Sequence, residues 1–67
     1  MSVFIWLSIH AKGQARERGV TIAEIKQAIQ RGAKHAQTDK IVADYGYIRV
    51  VYRMVNSTSY VITVMIR

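Results

Sequence analysis

The chain has no cysteine, no proline and only four acidic residues among its 67. Without cysteine there are none of the disulfides that staple small secreted domains, no thiolate metal site and no cysteine nucleophile, and a reducing cytoplasm is the natural setting. With no proline, no low-complexity tract and no internal repeat, nothing reads as a linker, so residues 1–67 form a single domain. No apolar run approaches the roughly 20 residues a bilayer span needs. The run Val3-Phe4-Ile5-Trp6-Leu7 has no basic residue before it and no small-residue cleavage site after it, so it reads as a buried strand and not as a targeting segment. No membrane partner is expected. A chain this short buries only about 60% of its unfolded surface, so its stability should be marginal or helped by a partner.

The charge that is present has one dominant sign. Ten lysines and arginines give a net charge of +6 and a pI of 10.2, a balance suited to RNA, DNA or an acidic protein partner. The carboxylates Glu17, Glu24, Asp39 and Asp44 are not clustered as two-metal nucleases require, and no metal or other cofactor is expected. The chain also lacks a glycine-rich phosphate loop, a dinucleotide fingerprint and a serine nucleophile elbow.

Gly19, Gly32 and Gly46 punctuate segments of different period. Ser8 can cap a helix from about Ile9 to Arg18, with Gly19 placed to take the left-handed conformation at its end. Thr21-Ile22-Ala23-Glu24 reads as a capping box that starts a second helix at Ile22, with Ile22, Ile25, Ala28 and Ile29 on its apolar face and Gly32 as its stop. Beyond Gly32 the period falls to two. Lys34 to Gln37 and Ile41 to Asp44 read as short strands about the turn Thr38-Asp39-Lys40, Tyr45-Gly46 as a bend or bulge, and Tyr47 to Val55 and Tyr60 to Ile66 as strands about the loop Asn56-Ser57-Thr58.

Strict alternation puts Ile48, Val50, Tyr52 and Met54 with Tyr60, Ile62, Val64 and Ile66 on a face covered by the helices. Arg49, Val51, Arg53, Val61, Thr63 and Met65 then lie on the open face. The expected architecture is α+β: two N-terminal helices packed on one face of a small antiparallel sheet of three to five strands, with Val3 to Leu7 available as an extra strand.

The order His10-Ala11, Arg18-Gly19-Val20, Thr21-x-x-Glu24-Ile25, Ala28-Ile29-x-x-Gly32, Ile48-x-Val50-Val51-Tyr52 and Val61-Ile62-Thr63-Val64 resembles the small prokaryotic and phage proteins grouped as domain of unknown function 4258. The resemblance covers about residues 8 to 66. Such proteins look like members of the wider assemblage of barnase, EndoU, colicin and RelE-like toxins and metal-independent ribonucleases. It implies a toxin-like endoribonuclease acting on RNA and neutralised by a cognate acidic antitoxin. The family helix usually reads His-Ala-x-x-Arg, whereas this chain has Gln14 and so lacks a cation there.

RNA cleavage without a metal needs a base for the 2′-hydroxyl, an acid for the departing 5′-oxygen and donors for the charge growing on phosphorus. Histidine is the one side chain type suited unaided to proton transfer near neutrality, so His10 is the candidate for either proton role. Arg49 and Arg53 present forks that match phosphate oxygens, and Thr63 offers a hydroxyl. Arg18, Lys40 and Tyr47 are further candidate RNA contacts, with Tyr45 and Tyr52 as other stacking rings. Each has a plainer role: His10 in a helix cap or in packing, Arg18 paired with Glu17 or Asp44, Arg49 and Arg53 on a solvated face, Thr63 as a strand former, and His35 as a lone surface histidine. The alternative function is a non-catalytic basic module that binds nucleic acid or an acidic protein. The sequence does not say whether a helix over the apolar face brings His10 to the arginine face.

Overall fold

The computed structural model describes residues 4–67. In chain order the elements are β1 (Phe4–Leu7), α1 (Ile9–Arg18), α2 (Ile22–Arg31), β2 (Ala33–Gln37), β3 (Lys40–Tyr45), β4 (Ile48–Val55) and β5 (Thr58–Ile66). Val3, included above in the first strand, lies outside the described residues.

The helix ends follow the local chemistry. The Ser8 hydroxyl accepts from the Ala11 amide at 3.0 Å, and Gly19 closes α1 at φ 66°. Thr21 and Glu24 form a reciprocal box: the Glu24 amide donates to Thr21 Oγ1 at 3.1 Å and the Thr21 amide to Glu24 Oε1 at 2.9 Å. Only Ala11 and Ala15 of α1 are buried, and side chains this small let the helix lie close to the sheet. α2 buries Ile25, Ala28 and Ile29. Ile22, expected on that face, is 57% exposed because it occupies the first helical position, at the margin of the contact.

Gly32 ends α2 for a steric reason. Its φ of −68° is open to any residue, but a Cβ there would collide with the Ala28 carbonyl oxygen and lie 2.8 Å from the Asp44 carbonyl oxygen. Backbone presses on it from helix and strand alike. Gly32→Ala is therefore expected to destabilise the domain by about 1 to 3 kcal/mol, as overpacking does, read as a lowered urea midpoint.

The strands form one sheet in the order β1-β5-β4-β3-β2. β2 to β5 pair antiparallel through two-residue turns, but β1 pairs parallel with β5, from Phe4 opposite Thr58 to Leu7 opposite Val61. The sheet is thus mixed, and a strand precedes the helices; this corrects the expected antiparallel sheet behind two N-terminal helices. No hairpin joins β1 to β5. The helices and three strands intervene, and so long a crossover permits parallel pairing. The rest of the β5 edge is covered by α1. The Ser8 amide donates to the Val61 carbonyl at 3.1 Å, the Ser8 hydroxyl to the Ile62 carbonyl at 3.4 Å, and the Val64 amide to Gln14 Oε1 at 3.0 Å. Strand and helix together shield an edge that would otherwise invite pairing with another chain.

α1 packs on β5 and touches β1, while α2 packs on β3 and β4. Between the layers lie Ile25, Ile48, Val50, Val61 and Val64, all essentially inaccessible, with Leu7, Val20, Ala43 and Tyr52 around them. A β-bulge breaks the alternation. Val51 faces Thr63 but Tyr52 faces Val61, so Ile62 is the extra residue. The expected face assignment holds for Val64, Thr63 and Met65 and reverses below the bulge: Val61 joins the core, while Tyr60 moves to the open face.

Candidate functional site

Arg49, Arg53 and Thr63 stand on the sheet face away from the helices, but the structure does not leave them equivalent. The Arg49 guanidinium is held in a fork by Asp44, its neighbour across the β3–β4 ladder, with Nε to Oδ1 at 2.6 Å and Nη2 to Oδ2 at 2.9 Å. Arg67 Nε adds a contact at 4.0 Å to the same carboxylate. The hydrogen bond from Arg49 holds the Asp44 carboxyl below its ordinary 3.8, and the same bond raises the arginine. Arg49 is thereby committed within the protein, whereas Arg53, two residues along the strand, is exposed and makes no salt bridge among the described residues. Thr63 faces Val51 and is half-buried.

The other candidates scatter. Tyr47 extends toward the helix layer, where its hydroxyl donates to Glu24 Oε2; this bond lowers the Glu24 carboxyl and raises the Tyr47 phenol. Among the described residues Arg18 pairs only with its neighbour Glu17, at 3.9 Å. Tyr52 is buried, which pushes its phenol up and closes its ring to stacking, and Tyr45 is half-buried against the core. Lys40 begins β3 on the open face, and one further step along the register that pairs Ile41 with Tyr52 sets it beside Arg53. His35 also faces the open side, across from Val42.

These pairs set an acid limit on stability. Asp44 and Glu24 have folded values below their ordinary 3.8 and 4.5, so their contribution is complete above those values and is lost as pH falls through the lowered ones. Tyr47, raised above 10.0, contributes below that value and loses its share as pH rises through its folded one. The thermal midpoint is expected to fall below about pH 4. Asp44→Asn should flatten part of that acid slope.

His10 lies in the first turn of α1, exposed, with no hydrogen bond or salt bridge among the described residues. It shares a helical stripe with Gln14, four residues on, whose side chain reaches the Val64 backbone. This stripe follows the β5 edge on the helix side of the sheet. The structure therefore separates His10 from the Arg53 surface.

A different group is brought together. Parallel pairing sets Trp6 beside Tyr60, and antiparallel pairing sets Tyr60 beside Arg53, so one row crosses β1, β5 and β4. Trp6, Tyr60 and Arg53, with Val55, Asn56 and Thr58, line a cavity of about 420 Å³ at the β4–β5 turn. The sequence reading missed both aromatic members. Trp6 sits in a run whose residues are all apolar, so periodicity could not say which alternate pair, Phe4 with Trp6 or Ile5 with Leu7, turns outward. Tyr60 was assigned to the core by an alternation that the bulge interrupts. A large indole and a phenol beside a strand arginine were the available signal. Among the described residues no group of three or more His, Asp or Glu side chains could hold a metal ion, and no helix is long and apolar enough to cross a membrane.

A small helix-on-sheet domain with a partly basic, aromatic open face is the class that fold and site define. The family described as domain of unknown function (DUF4258) matches residues 7–66, and the chain belongs to that family. Its fold is similar to a chain in the crystal structure of the toxin–antitoxin complex RelBE2 from Mycobacterium tuberculosis, with a TM-score of 0.73 over 100% of both chains at 14% identity. No curated protein matches the chain.

Proposed function

We propose that this chain is a toxin-like, RNA-directed protein whose open sheet face binds RNA and whose basic surface also suits an acidic protein partner, as an antitoxin would be. The observation that carries the reading is the exposed Arg53, without a salt bridge among the described residues, beside Lys40 on that face, in a chain of net charge +6. Two like charges on neighbouring strands repel unless a polyanion lies between or above them. The fold shared with a chain of a toxin–antitoxin complex supports the same reading and the presence of a protein partner.

Binding to single-stranded RNA should weaken steeply with salt, since each phosphate neutralised contributes about 0.7 to the slope of log affinity against log salt. Arg53→Ala should lower that slope by about 0.7, while Arg49→Ala should change it little because Asp44 already holds that guanidinium. Titrations at several salt concentrations measure this. No affinity at low salt would reject RNA and leave the acidic protein.

A second reading, metal-independent cleavage of that RNA, is favoured by His10, which is exposed on α1 and has no hydrogen bond or salt bridge among the described residues. In that reading His10 moves a proton at the β5 edge, while Arg53 and Thr63 hold a neighbouring phosphate of the same RNA on the open face.

A further inference from the structure

The apolar half of the open face is not explained by phosphate binding alone. Trp6 is 60% exposed and Tyr60 36%, on neighbouring strands, and both turn toward the cavity that also contains the Arg53 side chain. Strands lie about 4.8 Å apart, so the row from Trp6 through Tyr60 to Arg53 is about 10 Å across. Its volume of about 420 Å³ falls within the range of small-ligand sites. Exposed rings on adjacent strands cost hydrophobic free energy unless something covers them, and the cation at one end of the row selects what does.

We propose that this groove takes one unpaired nucleotide of single-stranded RNA, its base stacked against Trp6 and Tyr60 and its phosphate at Arg53, with Lys40 placed for the adjoining phosphate. The proposal rests on the RNA-directed reading above and names the site on the face that does the binding. Aromatic faces accept any base, and a guanidinium supplies the fork a phosphodiester matches, so the contact is tolerant of sequence but requires a free base. Paired bases cannot enter. Asp44, the carboxylate nearest to Arg53 in sequence, is occupied by Arg49, and Arg53 makes no salt bridge among the described residues, which leaves the Arg53 end of the groove positive.

Trp6 is the only tryptophan in the chain, which makes the test direct. Titration of the whole protein with an eight-nucleotide oligouridylate should quench tryptophan emission to saturation. The same RNA annealed to its complement, or an inorganic polyphosphate, should leave the emission nearly unchanged even where it binds. Trp6→Ala and Tyr60→Ala should each weaken oligouridylate binding by roughly 5- to 100-fold, the range found when a stacking ring is removed, while Trp6→Phe retains most of the affinity. Circular dichroism verifies that each variant is folded, and Tyr60→Ala, which keeps the tryptophan, still reports if Trp6→Ala does not fold.

Oligouridylate binding at full strength in folded Trp6→Ala and Tyr60→Ala, without quenching in the parent, would overturn the groove and leave RNA binding elsewhere on the protein. Absence of any RNA binding at low salt would instead overturn the RNA-directed reading itself. Quenching that depends on protein concentration without RNA would assign the groove to a second copy of the chain and would also overturn the proposal.

Discussion

Ile48→Ala is expected to cost about 2 to 5 kcal/mol, because it empties a fully buried core site at the start of β4, where the strand pairs with Tyr45 of β3 and Ile66 of β5. A domain of this length holds only about 3 to 10 kcal/mol in all, so this one substitution should leave a large unfolded fraction at 25 °C. Two substitutions on β5 give the contrast. Val61→Ala removes a wholly buried side chain and should cost roughly 2 kcal/mol, whereas Ile62→Ala, on the half-exposed bulge, should cost about 1 kcal/mol or less although it removes the larger group. Urea midpoints of the three variants test the ranking. If Ile62→Ala were the costlier of the β5 pair, strict alternation would be restored, Tyr60 would return to the core, and the groove beside Trp6 would close.

That contrast marks where sequence stops specifying position. The helix ends were legible because each rests on two or three adjacent residues: Ser8 with Ala11, Thr21 with Glu24, and Gly19 in the left-handed region. The antiparallel strands from Ala33 to Ile66 were legible within one or two residues for the same reason, since period and turn chemistry are local. The bulge was not. Tyr60-Val61-Ile62-Thr63-Val64 is uniformly strand-forming, so nothing in it marks the residue that drops out of register; the choice is made by packing, which buries Val61 under α1 and beside Leu7.

The parallel placement of β1 escaped for a similar reason, because it depends on a contact 54 residues away in sequence. Gln14 is the clearest case. As a departure from His-Ala-x-x-Arg it meant only a missing cation, yet its side-chain carbonyl accepts the Val64 amide on the part of the β5 edge that lies beyond β1. A guanidinium has five donors and no acceptor, so an arginine there could not satisfy that amide. The pairing of Arg49 with Asp44, which lies opposite it in the ladder, is a relation visible only once register is known.

The remaining expected effect is on chemistry, and the separation of His10 from Arg53 sharpens it. The cleavage reading predicts that the protein, with chelator present, converts single-stranded RNA to fragments ending in a 2′,3′-cyclic phosphate. The 2′-oxygen attacks phosphorus, its proton passes to a base, and the departing 5′-oxygen receives a proton from an acid. DNA, with no 2′-hydroxyl, should survive. His10→Ala should slow the reaction by about 100-fold or more, the ordinary scale for a general acid or base, and should leave RNA affinity and fold nearly unchanged because the side chain is exposed and holds no partner among the described residues. Arg53→Ala should behave differently, weakening binding and leaving the rate at saturation largely unchanged, because Arg53 holds a phosphate on the face away from His10. End-group analysis of the products and single-turnover rates distinguish the two variants. Intact RNA after long incubation, with binding demonstrated in the same sample, would make the protein a binding module; cleavage undiminished in His10→Ala would transfer the proton chemistry to the open face and leave His10 as an ordinary residue of the first helical turn.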